Sequence, residues 1–257
     1  MSILQTIVLS IVEGFTEFLP ISSTGHLILT SHLLKLEQSD FLKSFEIAIQ
    51  LGAILSVVAL YFKIFLLNPE VIKRIAVAFL PTAVVGFLFF GLIKTVLLES
   101  EVLVLWSLFL GGIALIVFEF WYKGKEKTEE KNVQTLSYGH CFLIGLFQTI
   151  AVIPGVSRAG ATILGGLWLG APRKTIVEFS FLLALPTMAG AVGLDLLKNA
   201  SSFSYDQFGV LAVGFLVSFI TAILAIRFLL SFIQKHTFIL FGVYRIILAI
   251  VFFVFFM

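Results

Sequence analysis

Long apolar stretches, each broken by a short polar punctuation, run the whole length of this chain of 257 residues. Crossing a hydrocarbon core of about 30 Å takes about 20 consecutive apolar residues as a helix. Six stretches meet that length, near 41–62, 79–98, 103–122, 174–197, 208–231 and 237–257. Two others, 1–34 and 138–170, are interrupted in mid-course by Pro, Gly and small hydroxyl residues. That mixture suits a helix that stops, turns and restarts, so each reads as a re-entrant hairpin that enters and leaves on one side. The expected fold class is an all-α integral membrane protein with six transmembrane helices and two re-entrant helical hairpins, forming a single polytopic domain over 1–257.

Composition agrees: 60% of the residues are hydrophobic, 12% are charged and the mean hydropathy is +1.11. A water-soluble domain of this size cannot hide that much apolar surface. The one cysteine, Cys141, excludes an internal disulfide and a thiolate-built metal cluster; it reads as a small core residue. The amino-terminal segment carries Glu13 after barely a dozen apolar residues and lacks a basic lead and a cleavage site, so it is not expected to be a removed signal peptide. The 29 Phe residues read as packing and lipid-facing groups. The net charge of +2 says little about partners, and no nucleic-acid partner is expected.

Lys and Arg gather in alternate loops. Lys63, Lys73 and Arg74 follow the first span; Lys123, Lys125, Lys127 and Lys131 follow the third; Arg173 and Lys174 precede the fourth; Arg227 and Lys235 flank the exit of the fifth. The opposite loops hold Glu99, Glu101, Asp195 and Asp206, with Lys198 and a mixed set of charges around Lys35 to Lys43. With both hairpins re-entrant, the positive-inside rule puts every basic loop in the cytoplasm and both termini outside. An echo reinforces this layout. Pro20 precedes Ser23, Gly25 and Glu46 much as Pro154 precedes Ser157, Gly160 and Glu178. A hairpin and three spans therefore occur twice, as repeat 1 over about 1–122 and repeat 2 over about 138–257, separated by a cytoplasmic loop at 123–137. An odd number of spans inverts the second copy, so that the two hairpins meet near the midplane.

The interrupting segments carry the chemistry, and polar groups at membrane depth mark a functional site. Glu13 and Glu17, four apart, share one helix face and can converge on a proton or a divalent ion. Pro20 ends that helix, and Ser22, Ser23 and Thr24 stand where the next begins. Any of them can cap it. Ser23, three residues from His26, can equally be an activated nucleophile, and spacing alone leaves the two readings level. In the second hairpin Arg158 lies in a Gly/Ser-rich turn, where Ser157, Gly160, Thr162 and the backbone amides form an anion cradle at a helix start; Arg158 either adds bidentate recognition of phosphate oxygens or makes a structural ion pair with a buried carboxylate. Arg245, inside the last span, is expected to be a buried ion pair joining helices or to add to the field of the site. Glu46, Glu178, Gln50 and Gln148 are candidates to support or orient it.

The run EGFTEFLPISSTGH at Glu13 to His26, with PGVSRAGAT at Pro154 to Thr162, closely resembles the bacterial undecaprenyl-diphosphate phosphatases of the bacitracin-resistance family. The likeness extends over essentially the whole chain. It implies hydrolysis of undecaprenyl diphosphate to the monophosphate, recycling the lipid carrier of peptidoglycan and other envelope polymers, in the bacterial inner membrane with the site facing the periplasm or exterior. It implies functional roles for Glu13, Glu17, Ser23, His26, Ser157, Arg158 and Thr162. The phosphates would rest on Arg158, Ser157, Thr162 and the amides near Gly155 to Gly160. Ser23 would attack, with Glu17 or His26 taking its proton, or water would attack directly with Ser23 only a ligand. A divalent cation, Mg²⁺ or Ca²⁺, is expected on Glu13 and Glu17. One departure stands out: Ala159 follows the Arg where the family commonly has a second Ser. The rival reading is a secondary transporter or carrier flippase built on the same inverted plan.

Overall fold

A computed structural model describes residues 1–37, 39–89, 100–123, 132–199 and 208–256. All regular structure among them is helical. In chain order the helices are α1 (Ile3–Thr16), α2 (Ser23–Leu33), α3 (Asp40–Leu67), α4 (Pro69–Leu88), α5 (Glu101–Tyr122), α6 (Tyr138–Thr149), α7 (Arg158–Trp168), α8 (Arg173–Asn199), α9 (Phe208–Phe232) and α10 (Ile239–Phe256), with 3₁₀ turns at Val133–Thr135 and Ile150–Val152. Helices α3, α4, α5, α8, α9 and α10 contain segments long and apolar enough to cross a membrane. The chain is thus an all-α integral membrane protein.

Hydroxyl and amide side chains start most of these helices. Ser2 makes a capping box with Gln5, Ser39 caps α3, Asn68 caps α4 just ahead of Pro69, Ser100 caps α5 and Ser137 caps α6. Each supplies an acceptor to a backbone N–H that the first helical turn leaves unpaired.

The second span begins ten residues earlier than the expected 79–98. Asn68 and Pro69 restart the chain at once after α3, so Lys73 and Arg74, taken above for a loop, lie in the first turns of α4. Their charge is met locally: Lys73 Nζ lies 2.9 Å and Arg74 Nη1 2.7 Å from the Glu70 carboxylate, which also accepts from Tyr138 Oη at 2.8 Å. Residues 90–99, the far end of the expected span, lie outside the described residues, as do Lys125, Lys127 and Lys131 of the basic loop.

Packing partners cross between the halves of the chain. Helix α1 packs on α9 and α6 on α4, while α3 packs against both α8 and α9, and α5 pairs with α10. Small residues allow these crossings. A Cβ on Gly14 would lie 2.5 Å from the carbonyl oxygen of Ser218, and one on Gly145 would collide with the Ala78 carbonyl. Helices α1 and α2 form one pair and α6 and α7 another. The open end of the first pair lies by the start of α5, where His32 Nδ1 is 3.3 Å from Glu101. The second pair opens toward the other end of α5, where the Trp168 ring meets Trp121. There the Glu119 carboxylate takes Arg173 Nη1 at 2.5 Å, Arg173 Nη2 at 3.1 Å and the Phe238 N–H at 2.8 Å, tying together α5 and the starts of α8 and α10.

Candidate active site

The turns after α1 and after η-turn Ile150–Val152 deliver two helix starts to one point. The preceding residues, Ser22 and Ser157, have φ of 73° and 79°, an unusual conformation for a residue with a side chain. Each Oγ accepts the N–H of the residue three along, Gly25 or Gly160. A Cβ on Gly160 would stand only 3.7 Å from Pro20 Cβ, so the two turns adjoin.

The first helical residue of α2 is Ser23 and that of α7 is Arg158, and both bind Glu17. The Ser23 hydroxyl donates to Glu17 Oε2. Arg158 Nη2 donates to Oε1 at 3.0 Å, with the pair about nine-tenths buried. Hydroxyl, carboxylate and guanidinium therefore form one continuous array across the two turns. Charge-assisted bonds of this kind are short and strong. Arg158 is further fixed by Nη1 donating 2.8 Å to the Ser180 carbonyl and by the ring of Phe18, 5.8 Å from its guanidinium carbon. Its Nε–H is buried and has no hydrogen-bond partner.

Glu13 is 0% exposed, and neither carboxylate oxygen has a hydrogen-bond partner. A carboxyl group left in this way is costly unless it holds a proton or an ion. No group of three or more His, Cys, Asp or Glu suited to a metal occurs among the described residues. The Glu13 oxygens nonetheless have the chemistry of a hard-cation ligand, whereas both Glu17 oxygens are engaged with Arg158 and Ser23.

Both ring nitrogens of His26 are engaged by groups other than Ser23. Its Nδ1 lies 2.7 Å from the Ser22 carbonyl and its Nε2 lies 2.8 Å from Tyr244 Oη, with the two rings nearly parallel. Of the two proton acceptors considered for Ser23, Glu17 is the one hydrogen-bonded to it.

Thr162 also departs from expectation. It is fully buried, its hydroxyl 2.9 Å from the Arg158 carbonyl and 2.6 Å from Ser180 Oγ. It braces the start of α7 against α8 and contributes no atom to the cradle surface. Gly160's N–H and Gly155's carbonyl are likewise occupied, by Ser157 and by Arg245.

Among the described residues Arg245 has no carboxylate partner, in contrast to the ion pair anticipated above. Its five N–H donors all go to main-chain carbonyls: Nε to Leu108, Nη1 to Pro20 and Val156, Nη2 to Ser107 and Gly155, at 2.8–3.2 Å. Pro20 belongs to one turn and Gly155 and Val156 to the other, so one side chain from α10 clamps both to α5. Gly155 has φ 90°, and a Cβ there would come 2.6 Å from the Val104 carbonyl oxygen.

Residues 6–251 match the model of the bacitracin resistance protein BacA family. The chain belongs to that family. Similar proteins named undecaprenyl-diphosphatase include those of Aquifex aeolicus, 49% identical with 98% of each chain covered, and Wolinella succinogenes, 49% identical over 98% of this chain and 97% of that one. That of Thermus thermophilus is 46% identical over 98% and 97%.

Three residues at this BacA-family site escaped the sequence reading. Ser180 and Tyr244 sit singly in apolar spans, and Met188 Sδ lies 3.9 Å from Arg158 Nη2. The available signal for Tyr244 was its place beside Arg245; Ser180 had none beyond being a hydroxyl in an apolar run. Ala159, where the sequence departs from the family pattern, is fully buried and presents no surface to the turn.

Proposed function

We propose that this protein hydrolyses undecaprenyl diphosphate to undecaprenyl phosphate and inorganic phosphate, returning the lipid carrier to peptidoglycan and envelope polymer synthesis and so conferring resistance to bacitracin. Membership of the BacA family and near-full-length similarity to proteins named undecaprenyl-diphosphatase support the reaction. The observation that carries the chemistry is the array Ser23–Glu17–Arg158 across the two turns.

The terminal phosphoryl group enters between the turns. Arg158, through its unpartnered Nε, and the Ser157 hydroxyl receive its oxygens, aided by the starts of α2 and α7, whose dipoles favour an anion. Ser23 Oγ attacks the terminal phosphorus while its proton passes to Glu17. The bond from that phosphorus to the bridging oxygen breaks, and the polyprenyl monophosphate leaves with the electron pair. Water then attacks the phosphoseryl group, frees inorganic phosphate and restores Ser23. Preorganised donors stabilise the charge that develops on the transferred group. His26, one turn along α2, exchanges a proton in this cycle. Glu13 would hold a divalent cation, Mg²⁺ or Ca²⁺, with Glu17 joining it only on giving up a bond to Ser23 or Arg158, and the cation would supply neutralisation of phosphate charge.

The two halves act as an inverted repeat. Matching positive-φ serines, helix pairs that open toward opposite ends of α5 and the exchanged packing of α1 on α9 and α6 on α4 favour that description. The basic loops favour a cytoplasmic Glu119–Arg173 end and an exterior open end of α1 and α2. The polyprenyl tail stays in hydrocarbon while the diphosphate reaches the turns from the exterior.

The test is inorganic phosphate release from a C55 prenyl diphosphate by detergent-purified protein, with and without added Mg²⁺ or Ca²⁺ after chelation. Release that depends on Arg158 and Glu17 supports the assignment; none from well-folded protein overturns it. Ser23→Ala is expected to lower turnover at least 100-fold, and near-normal turnover in that variant would replace the covalent route with direct attack by water.

A further inference from the structure

We infer that Tyr244 is a positioning residue for His26, holding the imidazole as a neutral ring whose Nε2 is a proton acceptor at the start of turnover. The inference rests on the proposed hydrolytic reading and deepens it.

A main-chain carbonyl can only accept, so the 2.7 Å contact between His26 Nδ1 and the Ser22 oxygen requires the proton on Nδ1. In the neutral ring Nε2 then carries the lone pair, and Tyr244 Oη, 2.8 Å away, is the donor that meets it. The geometry is over-determined from both sides. Ser22 is held at φ 73° by its capping bond to Gly25, which aims its carbonyl back at the ring. Tyr244 stacks with the imidazole, ring centroids 5.5 Å apart and 11° from parallel. Its backbone is anchored by the neighbouring Arg245, whose five bonds fix α10 to both turns.

This arrangement divides the proton work between two groups. The Ser23 hydroxyl already donates its hydrogen bond to Glu17, so His26 is not required as the base for the first step. An imidazole whose acceptor nitrogen is held by an exchangeable phenol bond suits the later one, in which water attacking a phosphoseryl group must lose a proton. Tyr244 is itself half-exposed, so a water or phosphate oxygen can take its place at Nε2 as the cycle proceeds. A hydrogen bond from a phenol also orients the ring without charging it, much as an outer partner fixes the tautomer of a ligating histidine.

Four purified proteins test this: the parent, Tyr244→Phe, His26→Gln and the double variant. Tyr244→Phe keeps the ring that stacks on His26 and removes only the donor. It is expected to lower kcat about tenfold with KM little changed, and to move the ¹⁵N resonance of the unprotonated ring nitrogen in histidine-labelled protein. That signal is identified by its loss in His26→Gln. The double variant is expected to be no worse than His26→Gln, since Tyr244 acts only through that ring. If His26→Gln loses turnover while Tyr244→Phe leaves both kcat and the resonance unchanged, the inference fails and the hydrolytic reading stands. Independent, multiplying losses also overturn it, because Tyr244 would then act on its own. Full turnover in His26→Gln overturns the inference together with the proton role given to His26, whereas absence of phosphate release from the folded parent removes the hydrolytic reading itself. Thermal unfolding of each variant separates these outcomes from misfolding.

Discussion

At the scale of single residues the site depends on which atoms are already engaged. Arg158 spends Nη1 on Ser180 and Nη2 on Glu17, leaving Nε unpartnered. A lysine in its place keeps the charge but has neither the planar fork nor the Nε donor. Arg158→Lys is therefore expected to fold, to retain weak phosphate release and to lose about 100-fold in kcat/KM, measured against a C55 prenyl diphosphate. Activity close to the parent's would mean that charge alone suffices and that the fork geometry is incidental. Residue identities were the most legible part of this protein, since Glu13, Glu17, Ser23 and Arg158 stand out as polar groups in an apolar chain. Their pairings were not legible. Spacing makes Ser23 and His26 neighbours, yet the ring is drawn off by Ser22 and by Tyr244, more than two hundred residues away in sequence, and no local pattern encodes such a contact.

At the scale of elements the two turns differ in how much a side chain would disturb them. Gly155 combines φ 90° with a carbonyl oxygen 2.6 Å from where a Cβ would stand, so Gly155→Ala is expected to cost about 1–3 kcal/mol and lower both Tm and turnover. A Cβ on Gly160 meets ordinary contacts at 3.4 Å and beyond. Gly160→Ala should unfold like the parent, and a rise in KM would show that substrate uses the space beside Pro20. At the cytoplasmic end proposed here, Glu119→Ala removes two bonds from the nearly buried Arg173 and one from the Phe238 N–H. A loss of about 1–3 kcal/mol is expected, read as a fall in unfolding temperature. Most spans were legible because apolar length is itself the physical requirement for crossing a bilayer. The second failed by ten residues because charges paired within one helical turn, as Glu70, Lys73 and Arg74 are, look in sequence like a solvated loop.

For the whole molecule the central question is which face the diphosphate comes from. With Cys141 replaced by Ala as background, single cysteines at Glu101 and Lys235 in intact cells report the two ends separately. The exterior assignment expects a membrane-impermeant maleimide to label Glu101→Cys and to spare Lys235→Cys until the membrane is opened; the reverse pattern would turn the protein over and place the reaction on the cytoplasmic side. The exchanged packing of α1 on α9 and α6 on α4 was foreshadowed only by the echo of Pro, Ser and Gly. The echo suggested Ser23 opposite Ser157, whereas the backbone makes Ser22 the counterpart, because the positive-φ cap is the shared feature and residue identity at the next position has diverged to Ser in one half and Arg in the other. Divergence of that kind gives one half the hydroxyl and the other the cation, so neither half carries a working centre by itself.

Arg245 grips carbonyl oxygens, which every amino acid carries. The clamp is therefore blind to side-chain identity at Pro20, Ser107, Leu108 and Val156, and as far as this grip is concerned those positions are free to drift. The arginine itself has no substitute among the twenty residues, since no other side chain offers five donors in one rigid plane.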